Sequence, residues 1–170
     1  MPLIFQYGSN CTAARVNSRN RLKGHAKDLG RAKTVEDSDI AFDVYSQTNA
    51  CAASDLIQTP GRKAWGVLYK LSKKDLERLR EIEGPRYEEQ SISVIDKKGK
   101  KQKATTFVVK EKERRQGLAT SAAYVSWIVY GLRDHGAPED WIDHVLEVAI
   151  RTNEGAAASS AEENRLINTL

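Results

Sequence analysis

Strand-like segments fill the first two thirds of the sequence, and helical segments fill the last third. The candidate strands are short apolar, aromatic or alternating runs bounded by turn residues, at 3–7, 40–45, 51–57, 64–71, 88–95 and 103–109. Two long helices are predicted at 121–135 and 138–152, after the strands rather than between them. A parallel sheet would need strand and helix to alternate. This order therefore predicts an α+β fold, a small mixed and mainly antiparallel β-barrel with flanking helices.

The composition is that of one globular domain, with 40% hydrophobic and 29% charged residues in a chain of 170. We expect this domain over residues 1–152, followed by an Ala/Ser-rich C-terminal tail over 153–170. No apolar run approaches the ~20 residues that span a bilayer. Two cysteines are too few for a disulfide framework or a usual zinc site. These features predict a cytoplasmic protein without a metal site.

Glu83 is the carboxylate with the most informative position. A helix is predicted to begin after Ser72, which can cap it, and to end at Gly84. Leu76, Leu79 and Glu83 then share one face, the buried one. Loss of hydration and the negative end of the helix both favour the protonated acid, so the pKa of Glu83 should rise. This suits a general acid/base; the alternative is a helix-end glutamate that points into solvent.

A second candidate is the segment Tyr7-Gly8-Ser9-Asn10, which predicts a strand followed by a tight turn into a short helix. Glycine permits close backbone approach, and a side chain that caps the helix leaves successive N–H groups free. Such turns bind carboxylates, other anions and developing oxyanions. The alternative is an ordinary capped connection between a strand and a helix.

Cys11 directly follows this turn and has two interpretations. A position near a helix N-terminus would lower the pKa of the thiol and favour a nucleophile. Nothing in the sequence places His25, His135 or His144 beside it, however, and a small buried residue is the alternative.

Two tyrosines and a group of lysines are less specific. Tyr124 shares a helix face with Trp127 and Ile128, which predicts a core stripe, whereas Tyr87 fits either the core or a pocket. The five lysines between 97 and 103 predict an exposed hairpin turn, with RNA or an acidic partner as the alternative ligand.

Taken together, these segments resemble the γ-glutamylcyclotransferase-like family, which includes γ-glutamylamine cyclotransferases and avirulence-induced-gene-like proteins. The segment 79–84 resembles the part of the family in which a glutamate before glycine is catalytic, and 5–10 resembles the substrate-binding loop. The other matching segments are Arg15 with Arg19, the turn 59–61, the strand 65–69, Tyr87, and the helical pair over 121–124 and 131–138. The resemblance spans residues 3–148, although Cys11 replaces the usual Leu or Met and residues 22–50 match poorly.

The resemblance implies a γ-glutamyl cyclotransferase that converts a small γ-glutamyl compound to 5-oxoproline and a free amine without a cofactor. It implies that Glu83 is the catalytic acid/base. The substrate-binding residues that it implies are Tyr7, Gly8, Ser9, Asn10, Cys11, Tyr87 and Tyr124. We expect a monomer or homodimer that binds neither nucleic acid nor membrane. The alternatives are a non-catalytic binding or regulatory module of the same fold, and a weak nucleic-acid binder.

Overall fold

A closed five-stranded β-barrel lies at the centre of the structure, which is a computed structural model covering residues 1–170. The strands are β1 (Leu3–Gln6), β2 (Lys27–Thr34), β3 (Asp39–Ser46), β4 (Cys51–Ile57), β5 (Trp65–Lys70), β6 (Tyr87–Asp96) and β7 (Lys101–Val109). The helices are α1 (Ala13–Val16), α2 (Lys73–Glu83), α3 (Ala122–Asp134), α4 (Glu139–Glu154) and α5 (Ala161–Ile167).

The barrel strands follow the order β1-β5-β2-β6-β7. Every neighbouring pair is antiparallel except β1 and β7, which close the barrel in parallel where Ile4 lies opposite Thr105. Strand β5 pairs with β1 on one side and β2 on the other, and its residues Val67, Leu68 and Tyr69 are buried. The predicted mixed, mainly antiparallel barrel with flanking helices is confirmed.

Strands β3 and β4 form a separate two-stranded hairpin rather than part of the barrel. A hydrogen bond joins the hairpin to strand β7 of the barrel: Asp55 Oδ1 accepts the N–H of Val109 at 2.8 Å. The sequence predicts both strands but not their separation, because pairing partners are not encoded locally. Strand β2, by contrast, belongs to the barrel although its basic, weakly periodic sequence indicates a loop leading into a strand.

Asp43 and Asp55 of this hairpin share one cation, Arg114. The Nε of Arg114 donates to Asp55 Oδ2 at 2.8 Å and lies 3.9 Å from Asp43 Oδ2. Asp55 is fully buried and Asp43 nearly so. Burial, and then the negative charge of Asp55, raise the pKa of Asp43 to about 7. The pair therefore retains one proton in mildly acidic solution.

Because of this pair, we expect the free energy of unfolding to fall as the pH rises. The pKa of Asp43 is 3.8 without the fold and about 7 within it, so between these values only the folded chain holds the proton. Linkage then lowers the free energy of unfolding by up to about 1.4 kcal/mol per pH unit. We expect Asp43→Asn, which carries no charge, to flatten this slope and to melt at a higher temperature than wild type at pH 8. A lower melting temperature for the variant at pH 8 would contradict the shared proton.

Helix α3 contacts β5 of the barrel, α4 contacts β3 of the hairpin, and α2 follows β5 along the chain. The hydroxyl of Ser72 accepts the N–H of Asp75 at 3.0 Å, and Gly84 ends the helix with φ of +81°. Both predicted helix signals are thus present. No helix of the structure combines the length and the apolar character needed to cross a bilayer.

The C-terminal residues, interpreted from the sequence as a tail, pack against the preceding helices. The side chain of Asn153 is buried, accepts the N–H of Thr120 at 2.7 Å and donates to Asn164 Oδ1 at 2.9 Å. Ile167 of α5 is fully buried. The sequence does not predict this packing, because the stretch is rich in Ala and Ser and only one large apolar residue of α5 reaches the core.

Candidate active site

A cavity of about 370 Å³ opens at the end of the barrel where β1 leads into the following turn. It lies between this turn, the end of α2, the start of β6 and the β3–β4 hairpin. Seven of the eight residues singled out from the sequence line it: Tyr7, Gly8, Ser9, Asn10, Glu83, Tyr87 and Tyr124. The structure thus brings together side chains that lie more than a hundred residues apart in the chain.

Glu83, the last residue of α2, is half-buried and provides the single carboxylate of the cavity wall. Asn10 Nδ2 donates to Glu83 Oε1 at 3.4 Å, a long hydrogen bond. Burial raises the pKa of Glu83, and the positive charges of Arg21 and Arg15 oppose this rise. The direction agrees with the sequence-based expectation. A carboxylate whose pKa is raised by burial is suited to accept and return a proton.

The turn after β1 is a short 3₁₀ segment, Ser9–Cys11, packed tightly against α3. A Cβ on Gly131 of α3 would lie 2.4 Å from the carbonyl carbon of Cys11, so only glycine permits this approach. The hydroxyl of Thr12 also donates to the carbonyl of Trp127 at 2.6 Å. The first N–H groups of such a segment have no acceptor within it. The turn is therefore held at a fixed position, and the side chain of its residue Asn10 contacts Glu83.

Gly8 has the close approach that the sequence suggests, but its backbone dihedral φ is −104°, which any residue adopts. A Cβ at this position would lie 2.2 Å from Ser54 Oγ. The requirement for glycine is therefore the space taken by Ser54, and not a left-handed backbone.

Ser54 connects two of the three cavity tyrosines. The hydroxyl of Tyr87 donates to the Ser54 carbonyl at 2.8 Å, and that of Tyr124 accepts the Ser54 N–H at 2.9 Å and lies 3.0 Å from Ser54 Oγ. The hydroxyl of Tyr7 donates to the carbonyl of Phe107 at 2.6 Å. Burial raises the pKa of each phenol, so all three remain neutral. These hydrogen bonds fix the positions of the three rings in the cavity wall.

Cys11 is the one predicted site residue that the structure places outside the cavity. Its N–H donates to the carbonyl of Gly8 at 3.0 Å and its thiol to the carbonyl of Gln6 at 3.2 Å. Burial raises the pKa of the thiol, which is the opposite of what a thiolate nucleophile needs. The N–H of Cys11 is used by the 3₁₀ hydrogen bond, which favours the interpretation of Cys11 as a small buried residue.

Cys11→Ala should therefore retain activity within a few fold. Alanine fills most of the same space and leaves the N–H bond to Gly8 intact, so the loss of stability should be about 1 kcal/mol. Steady-state kinetics and a melting curve check this expectation. A folded but inactive variant would revive the nucleophile.

Ser54, Arg21, Arg86 and the segment 44–49 also line the cavity, although sequence reasoning missed them. The one signal for Ser54 is that it and Asp55 interrupt an otherwise apolar strand. Arg15 holds the segment in place by donating to Asn49 Oδ1 at 3.2 Å. Its guanidinium also lies 5.4 Å from the ring of Trp127, which is 39% exposed rather than part of the expected core stripe.

No group of three or more His, Cys, Asp or Glu side chains is arranged as metal ligands. The five lysines between 97 and 103 lie exposed around the turn that joins β6 to β7, as expected of a hairpin turn.

Comparison with known proteins gives one consistent result. Residues 63–145 match the AIG2-like family. The chain is 24% identical to human γ-glutamylcyclotransferase over 95% of its own length and 86% of the human protein. A solved structure of a γ-glutamyl cyclotransferase superposes with a TM-score of 0.77 at 23% identity, covering 99% of both chains. An uncharacterized human protein superposes with a TM-score of 0.77 at 25% identity, over 98% of this chain and 97% of that one. The resemblance indicated by the motifs is thus confirmed: the chain is similar to γ-glutamylcyclotransferases in sequence and in fold.

Proposed function

We propose that this protein is a γ-glutamyl cyclotransferase that converts a γ-glutamyl amine or peptide to 5-oxoproline and the free amine. Glu83 is its general acid/base. The observation that carries the proposal is a single carboxylate in the cavity wall, contacted by Asn10 of the turn after β1, in surroundings whose burial raises its pKa. The similarity to human γ-glutamylcyclotransferase over most of both chains supports the same reaction.

The reaction is an intramolecular aminolysis. Glu83 accepts a proton from the α-ammonium group, and the resulting amine attacks the γ-carbonyl carbon of the same molecule. A new C–N bond closes the five-membered ring, and the carbonyl oxygen becomes an oxyanion. The oxyanion is stabilised by N–H groups of the turn that includes Gly8, Ser9 and Asn10. The amide C–N bond then breaks as Glu83 returns the proton to the leaving nitrogen.

One carboxylate suffices for all the proton transfers of this reaction. Two protons leave the attacking nitrogen in all, and two arrive on the leaving nitrogen, so Glu83 alternates between base and acid. No water enters the products. Holding the two reacting groups of one substrate in contact supplies about 7–11 kcal/mol, and a placed base adds ~10²–10⁴-fold.

The test is a panel of γ-glutamyl dipeptides, glutathione, γ-glutamyl amines and the ε-(γ-glutamyl)lysine isopeptide, incubated with the purified chain. Release of 5-oxoproline from at least one compound is the expected result. Saturable binding of these compounds without any release would favour a non-catalytic module of the same fold. Such a module gains nothing from a base with a raised pKa, so the environment of Glu83 favours the enzyme.

A further inference from the structure

A second cavity, of about 220 Å³, lies between the β3–β4 hairpin, the segment 115–118 and helix α4. It shares no lining residue with the cavity that contains Glu83. Its volume is below the roughly 300–1,000 Å³ of sites for drug-sized ligands. This second cavity therefore suits a smaller molecule, and its wall indicates which chemical groups that molecule carries.

One side of the second cavity contains a buried carboxylate that lacks a full set of partners. Asp43 is only 7% exposed, and no hydrogen-bond donor contacts its buried Oδ1. Its Oδ2 lies 3.9 Å from Nε of Arg114, which donates to Asp55 instead, at 2.8 Å. When both carboxylates are ionised, one buried negative charge is left without a counter-ion. Such a charge is costly, so this position favours a positively charged donor on a ligand.

Two arginines, Arg115 and Arg151, provide the positive charge of the second cavity. Both are exposed, and neither forms an ion pair with Asp43. Arg151 pairs with Glu147 of its own helix, and an exposed pair of this kind contributes little to stability, so Arg151 can exchange it for a ligand. A guanidinium suits a carboxylate, because it donates two parallel hydrogen bonds in a fixed geometry.

Most of the remaining wall is apolar. It includes the buried ring of Phe42 and the half-buried side chains of Ile57, Leu118 and Val148. Contact with a ligand removes such apolar surface from water, which favours binding. A charged side chain on the ligand would lose its hydration against the same surface. The ligand therefore carries an apolar group beside its two charged ones.

We propose that the second cavity binds an α-amino acid with an apolar side chain, its ammonium on Asp43 and its carboxylate on Arg115 and Arg151. The three parts of such a molecule complement the buried carboxylate, the two guanidinium groups and the apolar side chains of the wall. A carboxylate without an ammonium would leave the charge of Asp43 unmatched. The site does not depend on the proposed cyclotransferase activity, because the residues that form it are all distinct from those around Glu83.

The experiment measures calorimetric binding of L-leucine and of two analogues that each lack one charged group, 4-methylpentanoate and 3-methylbutylamine. Measurements at pH 8 keep Asp43 ionised, because the pKa of this residue is about 7. We expect saturable binding of L-leucine, and at least about 10-fold weaker binding of each analogue, since each loses a charge-assisted hydrogen bond. Glycine should also bind at least about 10-fold more weakly, because it has no apolar side chain to bury.

Asp43→Asn and Arg151→Met should each weaken the binding of L-leucine about 10-fold or more. The matched control is Arg165→Met, since Arg165 is an exposed arginine that also pairs with a glutamate of its own helix but lies outside the second cavity. This control should leave the affinity unchanged. Glu83→Gln should leave it unchanged as well, which distinguishes this site from the first cavity. Melting curves establish that each variant is folded, and the comparison of analogues needs no variant.

Absence of saturable binding of L-leucine would overturn the site. Equal affinity for L-leucine and 4-methylpentanoate would also overturn it, because the ammonium would then have no counterpart in the wall. If folded Asp43→Asn or folded Arg151→Met binds L-leucine as tightly as wild type, the amino acid occupies another surface and the assignment fails.

Discussion

Glu83→Gln is expected to leave the fold intact and to abolish release of 5-oxoproline. Glutamine has nearly the shape of glutamate, and its side-chain oxygen can still accept the hydrogen bond from Asn10 Nδ2. It cannot accept a proton, however, so it can neither take one from the α-ammonium group nor return one to the leaving nitrogen. A placed base contributes at least ~10²-fold, and we expect kcat to fall by that factor or more. Because burial disfavours the ionised carboxylate, the melting temperature should stay equal or rise.

The matched control is Glu81→Gln in the same turn of α2. Glu81 is exposed and pairs with Arg78 at 3.3 Å, on the side of the helix away from the cavity wall. Its replacement should change neither kcat nor KM. If Glu83→Gln retains more than about a tenth of the wild-type rate while Glu81→Gln is also active, Glu83 is not the base, and the reaction depends on substrate positioning alone.

The parts of the fold that could be predicted have local signals. The buried strand β5 is a continuous apolar run, and Glu83 is located by the spacing of Leu76 and Leu79 and by the helix end at Gly84. The apolar spacing, the cap at Ser72 and the helix end at Gly84 all lie within about a dozen residues. The sequence alone therefore places Glu83 on the same helix face as Leu76 and Leu79.

The parts that could not be predicted depend on partners distant in sequence. Ser54 becomes important only because the hairpin brings it to Tyr87 and Tyr124, 33 and 70 residues away. Arg21 can be identified as part of the cavity wall only when the fold brings it beside Glu83, 62 residues further along the chain. The use of the Cys11 N–H by a 3₁₀ hydrogen bond depends on the geometry of the turn, which the sequence does not specify.

Gly8→Ala is expected to reduce kcat/KM about 100-fold through a steric effect on the cavity wall. The new Cβ would lie 2.2 Å from Ser54 Oγ, far inside van der Waals contact, so Ser54 must move. The Ser54 backbone bonds the hydroxyls of Tyr87 and Tyr124, so the effect depends on the Ser54 main chain shifting with its side chain, which misplaces both tyrosines. A displacement of about 1 Å near reacting groups can cost ~10²-fold. The melting temperature should fall only modestly, since the turn lies at the end of the barrel.

The double variant Gly8→Ala/Ser54→Ala separates this steric effect from a need for glycine itself. Removing Ser54 Oγ leaves Ser54 Cβ as the nearest of those atoms, at 3.3 Å, a tight but tolerable distance. We therefore expect the double variant to be more active than Gly8→Ala and to approach Ser54→Ala alone, which keeps the Ser54 backbone bonds to both tyrosines. If the double variant is no better than Gly8→Ala, the added methyl acts on the substrate or the turn, and the contact with Ser54 does not explain the glycine.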